Sequence, residues 1–264
     1  MATKSTTRSR EQIMHEAAGL SVDVSDKIPI AVKEKMAGKS FDEALQLAHE
    51  NEVEELGINF QGEKFKVKLH RIPHADIERL TEVHEENARF QHWLTDYAID
   101  ELMTNMIENE QHVPALGFNC KSKNKILIID GSCRRASAIK GGLDYYVYVS
   151  ENELDPKMVN SLSINTNINV TQSIVEYGEI HLASMEALGH TAYEHSIHIN
   201  EQKETIRRRV NSALFYREHP FLIDSFPAPS QLGWPTFNYL IKKVPTLSDE
   251  DLELLSISLP TKTI

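Results

Sequence analysis

Cysteine is scarce in this 264-residue chain: Cys120 and Cys133 are the only two. Two thiols cannot staple a small secreted scaffold, so a disulfide-built fold is excluded and a reducing, cytoplasmic setting is expected. Long apolar runs are missing as well. No stretch approaches the roughly 20 residues that cross a bilayer. The opening stretch Met1–Arg10 is polar with no apolar core, so neither a membrane span nor a secretory signal is expected. Basic charge is in deficit, 28 Lys and Arg against 39 Asp and Glu, for a formal net charge of −11. Phosphate repels such an anion, which argues against indiscriminate coating of nucleic acid. What remains is an ordinary globular composition, 41% hydrophobic and 25% charged, long enough for two modules.

The charge is unevenly spread. Phe41 to Gly57 holds six acidic residues and no Lys or Arg, a solvated or partner-facing acidic face. From Gly117 to Lys140 the balance reverses, with Lys121, Lys123, Lys125, Arg134, Arg135 and Lys140 against Asp130 alone. A second basic cluster falls at Lys203, Arg207, Arg208, Arg209 and Arg217. Two positive fields on an acidic protein point to two anionic ligands, each held at a chosen place.

Periodicity divides the chain. Residues 1–26 are Ser/Thr- and charge-rich and are expected to be disordered. Residues 27–59 read as a helical extension, with Phe41, Ala44, Leu45 and Ala48 on one face. Phe65, Val67 and Leu69 alternate with polar residues as in a half-buried strand. Helices are expected near 75–87 and 95–108, the second with Ala98, Leu102, Met106 and Ile107 inward. Strands are expected at 114–120, 125–130 and 145–149. From Asp155 onward the pattern is helical, broken at Gly189, Pro220 and Pro227. The fold class is therefore α+β, with an α+β module at 60–154, an all-helical module at 155–243 and an acidic tail at 244–264.

Two stretches carry chemistry. The first is Ile126-Leu-Ile-Ile-Asp-Gly-Ser-Cys-Arg-Arg-Ala-Ser-Ala-Ile139, a buried strand, a glycine turn and a helix opening at Arg134-Arg135. Backbone N–H groups at such a turn, the positive end of a helix and two guanidinium groups suit a polyphosphate. A plain strand–turn–helix with a solvated arginine pair reads the same residues. The second is a helix-turn-helix pattern. Thr191 to Ile199 forms the first helix with Ser196 at the crossing, Asn200-Glu201 the turn, and Gln202 to Phe215 the second helix. Ile206, Val210 and Ala213 or Leu214 face inward. Gln202, Lys203, Thr205, Arg207, Arg208, Arg209 and Asn211 are then left for base edges and phosphates. An amphipathic helix merely solvated by its basic residues is the alternative. His195 and Glu201 occupy positions where apolar residues usually lock such a motif.

Together these pieces resemble the ParB family of DNA-partition proteins, from about Phe60 to Lys243. The resemblance lies in Leu80–Gln91 with Leu94-Thr95, Gln111–Gly117, Ile129–Ile139, the helix-turn-helix and Phe226–Leu232, in that order and spacing. Plasmid-type members and ParB-like transcriptional regulators of the VirB type look most similar. The resemblance implies a ParB/sulfiredoxin-like domain that binds CTP with Mg²⁺, and a helix-turn-helix domain that recognises double-stranded DNA. It implies a homodimer, plasmid or chromosome segregation, a nucleoid- or plasmid-associated place in the cell, and a ParA-type ATPase as a possible partner of the N-terminal residues. Residue by residue, Gln111 and Pro114 would lie near the cytosine and Gly131, Ser132, Cys133, Arg134 and Arg135 would hold the triphosphate. Gln202 to Asn211 would contact DNA.

The chain departs from the family pattern in places. Cys133 stands where the family usually has Arg; a charge-assisted contact of that kind contributes about 1.5–3 kcal/mol. Glu110 replaces a usual glycine, and Ser163–Asn169 offers asparagines where the third family box has an acid, which bears on CTP hydrolysis. The separate C-terminal dimerisation domain is expected to be absent. His190, His195 and His198 have no cysteine partner and are not expected to bind metal. Cys133 is read as an inert thiol rather than a nucleophile, and Trp93 and Trp234 as core. The function is therefore read as a CTP-responsive partition protein, with a ParB-like transcription regulator and a nucleotide-dependent enzyme of the same fold as alternatives.

Overall fold

The computed structural model describes residues 19–23, 30–37, 39–166 and 172–259. They form two compact units, one containing the described residues up to 87 and 99–166, the other residues 88–98 and 172–259.

The first unit is built on a seven-stranded sheet. In chain order its elements are β1 (Ser21–Asp23), α1 (Ile30–Met36), α2 (Phe41–Glu50), β2 (Glu55–Phe60), β3 (Glu63–Ile72), α3 (Ile77–Leu80) and β4 (Thr81–Val83). There follow α4 (Asp96–Asn109, in this unit from Ile99), β5 (Ala115–Cys120), β6 (Lys125–Asp130), α5 (Ser132–Gly141), β7 (Tyr145–Ser150) and α6 (Pro156–Thr166). The strand order is β1-β2-β3-β7-β5-β6-β4. Neighbours are antiparallel except β5 with β7 and β4 with β6. The four-residue apolar run on β6 is explained by cores on both faces of the sheet. Leu127 and Ile129 enter one, with Phe118, Tyr148 and the buried face of α2, while Ile126 and Ile128 enter the other, with Tyr145 and Val147. Successive side chains on a strand point to opposite faces, so a strand covered on both sides reads as continuous apolar sequence.

The second unit is helical: α7 (Ile174–Leu188), α8 (Ala192–His198), α9 (Lys203–Glu218), α10 (Pro220–Asp224), α11 (Trp234–Lys243) and α12 (Asp249–Ser258). Ser173 with Glu176, Thr191 with Glu194 and Ser248 with Asp251 form capping boxes that fix where α7, α8 and α12 begin. Its core gathers Val175, Ala213, Phe215, Ile223 and Phe237 around Trp93, whose indole N–H donates to Asp224 at 2.7 Å.

The α+β class stands, and Phe41, Ala44, Leu45 and Ala48 are buried as expected. Other expectations change. The helix expected at 75–87 is only α3 plus a short 3-10 turn; Thr81–Val83 pairs instead with β6, where β-branched residues complete the sheet edge. On α4, Met106 is buried and Leu102 packs against the core as expected, Ile99 is buried as well, and Ile107 is exposed. The stretch expected to be a helical extension also supplies β2, and Ser21–Asp23 of the expected disordered segment forms β1; residues 1–18 and 24–29 lie outside the described residues. The first unit also runs past the boundary expected at 154, because Val159 and Leu162 of α6 are buried in its core. Part of the expected acidic tail is α12, with Leu252 packed against the second core.

Candidate functional site

In the first unit the glycine turn lies where the sequence pattern puts it. Asp130 ends β6, Gly131 adopts φ +93°, and α5 begins at Ser132, earlier than expected. Only glycine fits: a Cβ at 131 would lie 2.6 Å from the Ala115 Cβ. The first turn of α5 carries no acidic residue and no side-chain cap, and its first N–H groups have no intrahelical acceptor. The remaining predicted residues converge through the first two residues of β7. The Tyr145 hydroxyl donates to the Gly131 carbonyl at 3.2 Å. The Tyr146 backbone N–H donates to the Gln111 amide oxygen at 3.0 Å, and the Gln111 Nε2 donates to the Tyr146 carbonyl at 2.7 Å and the Val113 carbonyl at 3.0 Å.

That arrangement corrects the picture of two free phosphate clamps. Arg134 ties back to Asp130 across one turn, 2.5 Å away. Burial pushes its guanidinium down, but the charges of Asp130, Asp42 and Tyr145 outweigh it and hold the pKa above the ordinary value. Its Nε is buried with no hydrogen-bond partner. Arg135 donates to the hydroxyl and carbonyl of Thr81, at 2.7 and 3.1 Å, and forms no ion pair among the described residues. Desolvation lowers its pKa. Gln111 is buried with its amide used against backbone, which takes it away from reading a base; Pro114 is buried, and Cys133 is partly exposed. A phosphate group suits the open helix start and the orphaned Arg134 Nε. Cytosine recognition by Gln111 does not fit this arrangement. Among the described residues no group of three or more His, Cys, Asp or Glu is placed to hold a metal. Of the third box, Ser163 is buried on α6, while residues 167–169 lie outside the described residues.

In the second unit α8, a turn at Ile199–Gln202 and α9 follow one another over the stretch read as a helix-turn-helix. Ile206, Val210 and Ala213 face inward, whereas Leu214 is exposed. Gly178 of α7 permits the crossing with α9: a Cβ there would meet the Arg209 carbonyl oxygen at 2.2 Å. The two residues that fitted the motif poorly are explained by a buried polar lock. Arg209 turns inward and its Nη1 meets both Glu201 oxygens at 2.8 and 2.9 Å and His181 Nε2 at 3.1 Å. His181 Nδ1 then meets His195 Nε2 at 3.2 Å. Since Arg209 can only donate, His181 accepts at Nε2 and donates from Nδ1, which leaves the proton of His195 on Nδ1, an atom buried without a partner. Burial first, then the charges of Arg209 and His195, push His181 down to about 4. Sequence alone missed His181, which sits on the preceding helix.

Arg209 is therefore not on the exposed face expected for it; the lock and the Tyr177 ring, 4.2 Å away, hold it. Gln202, Lys203, Arg207 and Arg208 are exposed, and Thr205 and Asn211 half-buried. Arg207 and Arg208 both bond Glu204, which is pushed down to about 2 by those hydrogen bonds. Such exposed pairs are screened by salt and yield readily to a competing phosphate.

No family model matches the chain. It is 28% identical over 211 residues to the virulence regulon transcriptional activator VirB of Shigella flexneri, covering 76% of this chain and 66% of that protein. To the plasmid partition protein Par B of Escherichia coli it is 27% identical over 183 residues, covering 69% of this chain and 52% of that one. The chain thus spans between half and two thirds of the length of these curated relatives. Among solved structures, the C-terminally truncated chromosome-partitioning protein ParB of Caulobacter crescentus, complexed with CTP-γ-S, matches 67% of this chain and 98% of its own at 15% identity and a TM-score of 0.32. A Pnob8-like ParB-N domain matches 74% of this chain and 90% of its own at 13% identity and a TM-score of 0.40.

Proposed function

We propose that this chain, a ParB-family protein at low sequence identity, is a DNA-binding protein of the partition or gene-regulatory kind whose first unit binds a nucleotide. The observation that carries the DNA reading is α9 itself. Its buried face is locked to α7 by Gly178 and the Glu201–Arg209–His181 network, while Gln202, Lys203, Arg207 and Arg208 remain outward. A helix held rigidly with its cations outward suits the major groove. Lys203, Arg207 and Arg208 would meet phosphates or guanine edges, Gln202 and Asn211 adenine edges, and Thr205 either. Arg209 acts as a positioning residue.

The nucleotide reading rests on the Gly131 turn, the uncapped start of α5 and the orphaned Arg134 Nε. Bound there, a triphosphate supplies negative charge that the helix start and Arg134 stabilise. CTP with Mg²⁺ is the nucleotide the family resemblance suggests; the engagement of Gln111 with Tyr146 makes phosphate recognition the better-supported half. A homodimer and a ParA-type ATPase belong to the same reading.

Fluorescence anisotropy on duplex DNA tests the first part. Arg208→Ala should weaken binding and reduce the slope of log K against log salt by about one; an unchanged slope and affinity would remove α9 from the interface. Calorimetry with CTP and ATP tests the second, and a chain that binds neither is a DNA-binding module without a nucleotide switch. Sequencing of co-purified DNA separates the two roles: one peak with spreading indicates partition, scattered promoters a regulator.

A further inference from the structure

We propose that a cleft of about 470 Å³ in the second unit is a seat for a phosphoryl group. It lies where the start of α7, the start of α9 and the Ser230–Gly233 turn come together, bordered by Gln172, Tyr177, Thr205, Arg208, Ser230 and Leu232. Two observations converge there. Gln172 is only 4% exposed, yet its amide Nε2 is buried with no hydrogen-bond partner. A buried donor left unpaired is costly, so it marks where an acceptor belongs. Arg208 reaches the same cleft with its guanidinium 5.9 Å from the Trp234 ring centroid, a placement that orients a cation without neutralising it.

The nearby acids already have partners of their own. Glu176 is buried but its oxygens accept from the backbone N–H groups of Ser173 and Phe90, each at 2.7 Å. Glu201 is taken up by Arg209, and Glu204 shares its exposed carboxylate between Arg207 and Arg208. An amide, two hydroxyls and a guanidinium around one space suit a tetrahedral anion with several acceptor oxygens. The Tyr177 and Leu232 side suits the carbon part of an ester. A phosphodiester of the DNA backbone and a free phosphorylated ligand share this chemistry; only the first source rests on the DNA reading above.

Titration of the full chain with inorganic phosphate in chloride buffer, followed by the Gln172 side-chain amide resonance, tests the seat. Millimolar phosphate should shift that resonance, and Gln172→Leu should weaken phosphate binding by about tenfold. Ser230→Ala, at a partly exposed position, should weaken it several-fold if the Leu variant folds poorly. If duplex DNA then abolishes the phosphate response, the seat takes a backbone phosphate. If DNA binds without competing, or does not bind, the seat stands for a free phosphorylated ligand, and in the latter case the DNA reading falls by itself. Absence of any shift with phosphate and with DNA, or phosphate affinity unchanged in both variants, overturns the proposal.

Discussion

Acid should loosen the second unit through one side chain, His181. An ordinary imidazole titrates at 6.5, whereas burial first, then the charges of Arg209 and His195, hold His181 down to about 4 in the fold. Between those values the unfolded chain takes up a proton that the folded one refuses. The contribution to stability is therefore complete above pH 6.5 and is lost as the pH falls toward 4. The gap corresponds to about 3 kcal/mol, a large part of the roughly 5–15 kcal/mol that holds a typical domain. Urea unfolding followed by tryptophan fluorescence reads this unit directly, because Trp93 and Trp234 both belong to it. His181→Gln is the reference: its amide oxygen can accept from Arg209 and its NH₂ can donate to His195, but it does not titrate. Wild-type stability should fall below that of the variant by about 2–3 kcal/mol as the pH drops from neutral to the low fours. His195, also held down by burial, is common to both proteins and cancels in the difference. Parallel curves for the two proteins would show that His181 is not held neutral by this network.

Three further perturbations probe the same construction. Gly178→Ala should cost at least about 2–3 kcal/mol in thermal unfolding, since the new methyl has backbone on its path and nothing flexible to move aside; a cost below about 1 kcal/mol would mean that α7 and α9 separate easily. Gly131→Ala should destabilise the first unit well beyond Gly142→Ala, because both need positive φ but only Gly131 faces a neighbour, the Ala115 side chain; equal costs in paired melts would dismiss the steric argument. Glu201→Leu alone should cost about 2–4 kcal/mol by stranding a partly buried guanidinium, while Glu201→Leu with Arg209→Met should recover most of it. A double-mutant cycle by urea titration checks that pair, and simple additivity would mean that the two residues do not act as one lock.

Local sequence determined a good deal of this protein. The alternation at Phe65 and Val67, the apolar run of β6 and the glycine before α5 each act over a few neighbouring residues. Periodicity and turn chemistry therefore disclosed them, along with the order of motifs that carries the ParB likeness. Tertiary structure decided what the polar side chains do. Thr81–Val83 is helical by pattern but completes a sheet edge beside β6. Arg134 and Arg135 read as free cations, but Asp130 and Thr81 hold them, and Gln111 is spent on the backbone of a strand some thirty residues onward. Arg209 reads as a DNA contact and is instead the centre of a lock whose other members come from α7, α8 and the turn. A hydrogen bond depends on distance and angle between groups far apart in the chain. Spacing along the sequence does not encode these, so the residue types were legible while their partners were left to the fold.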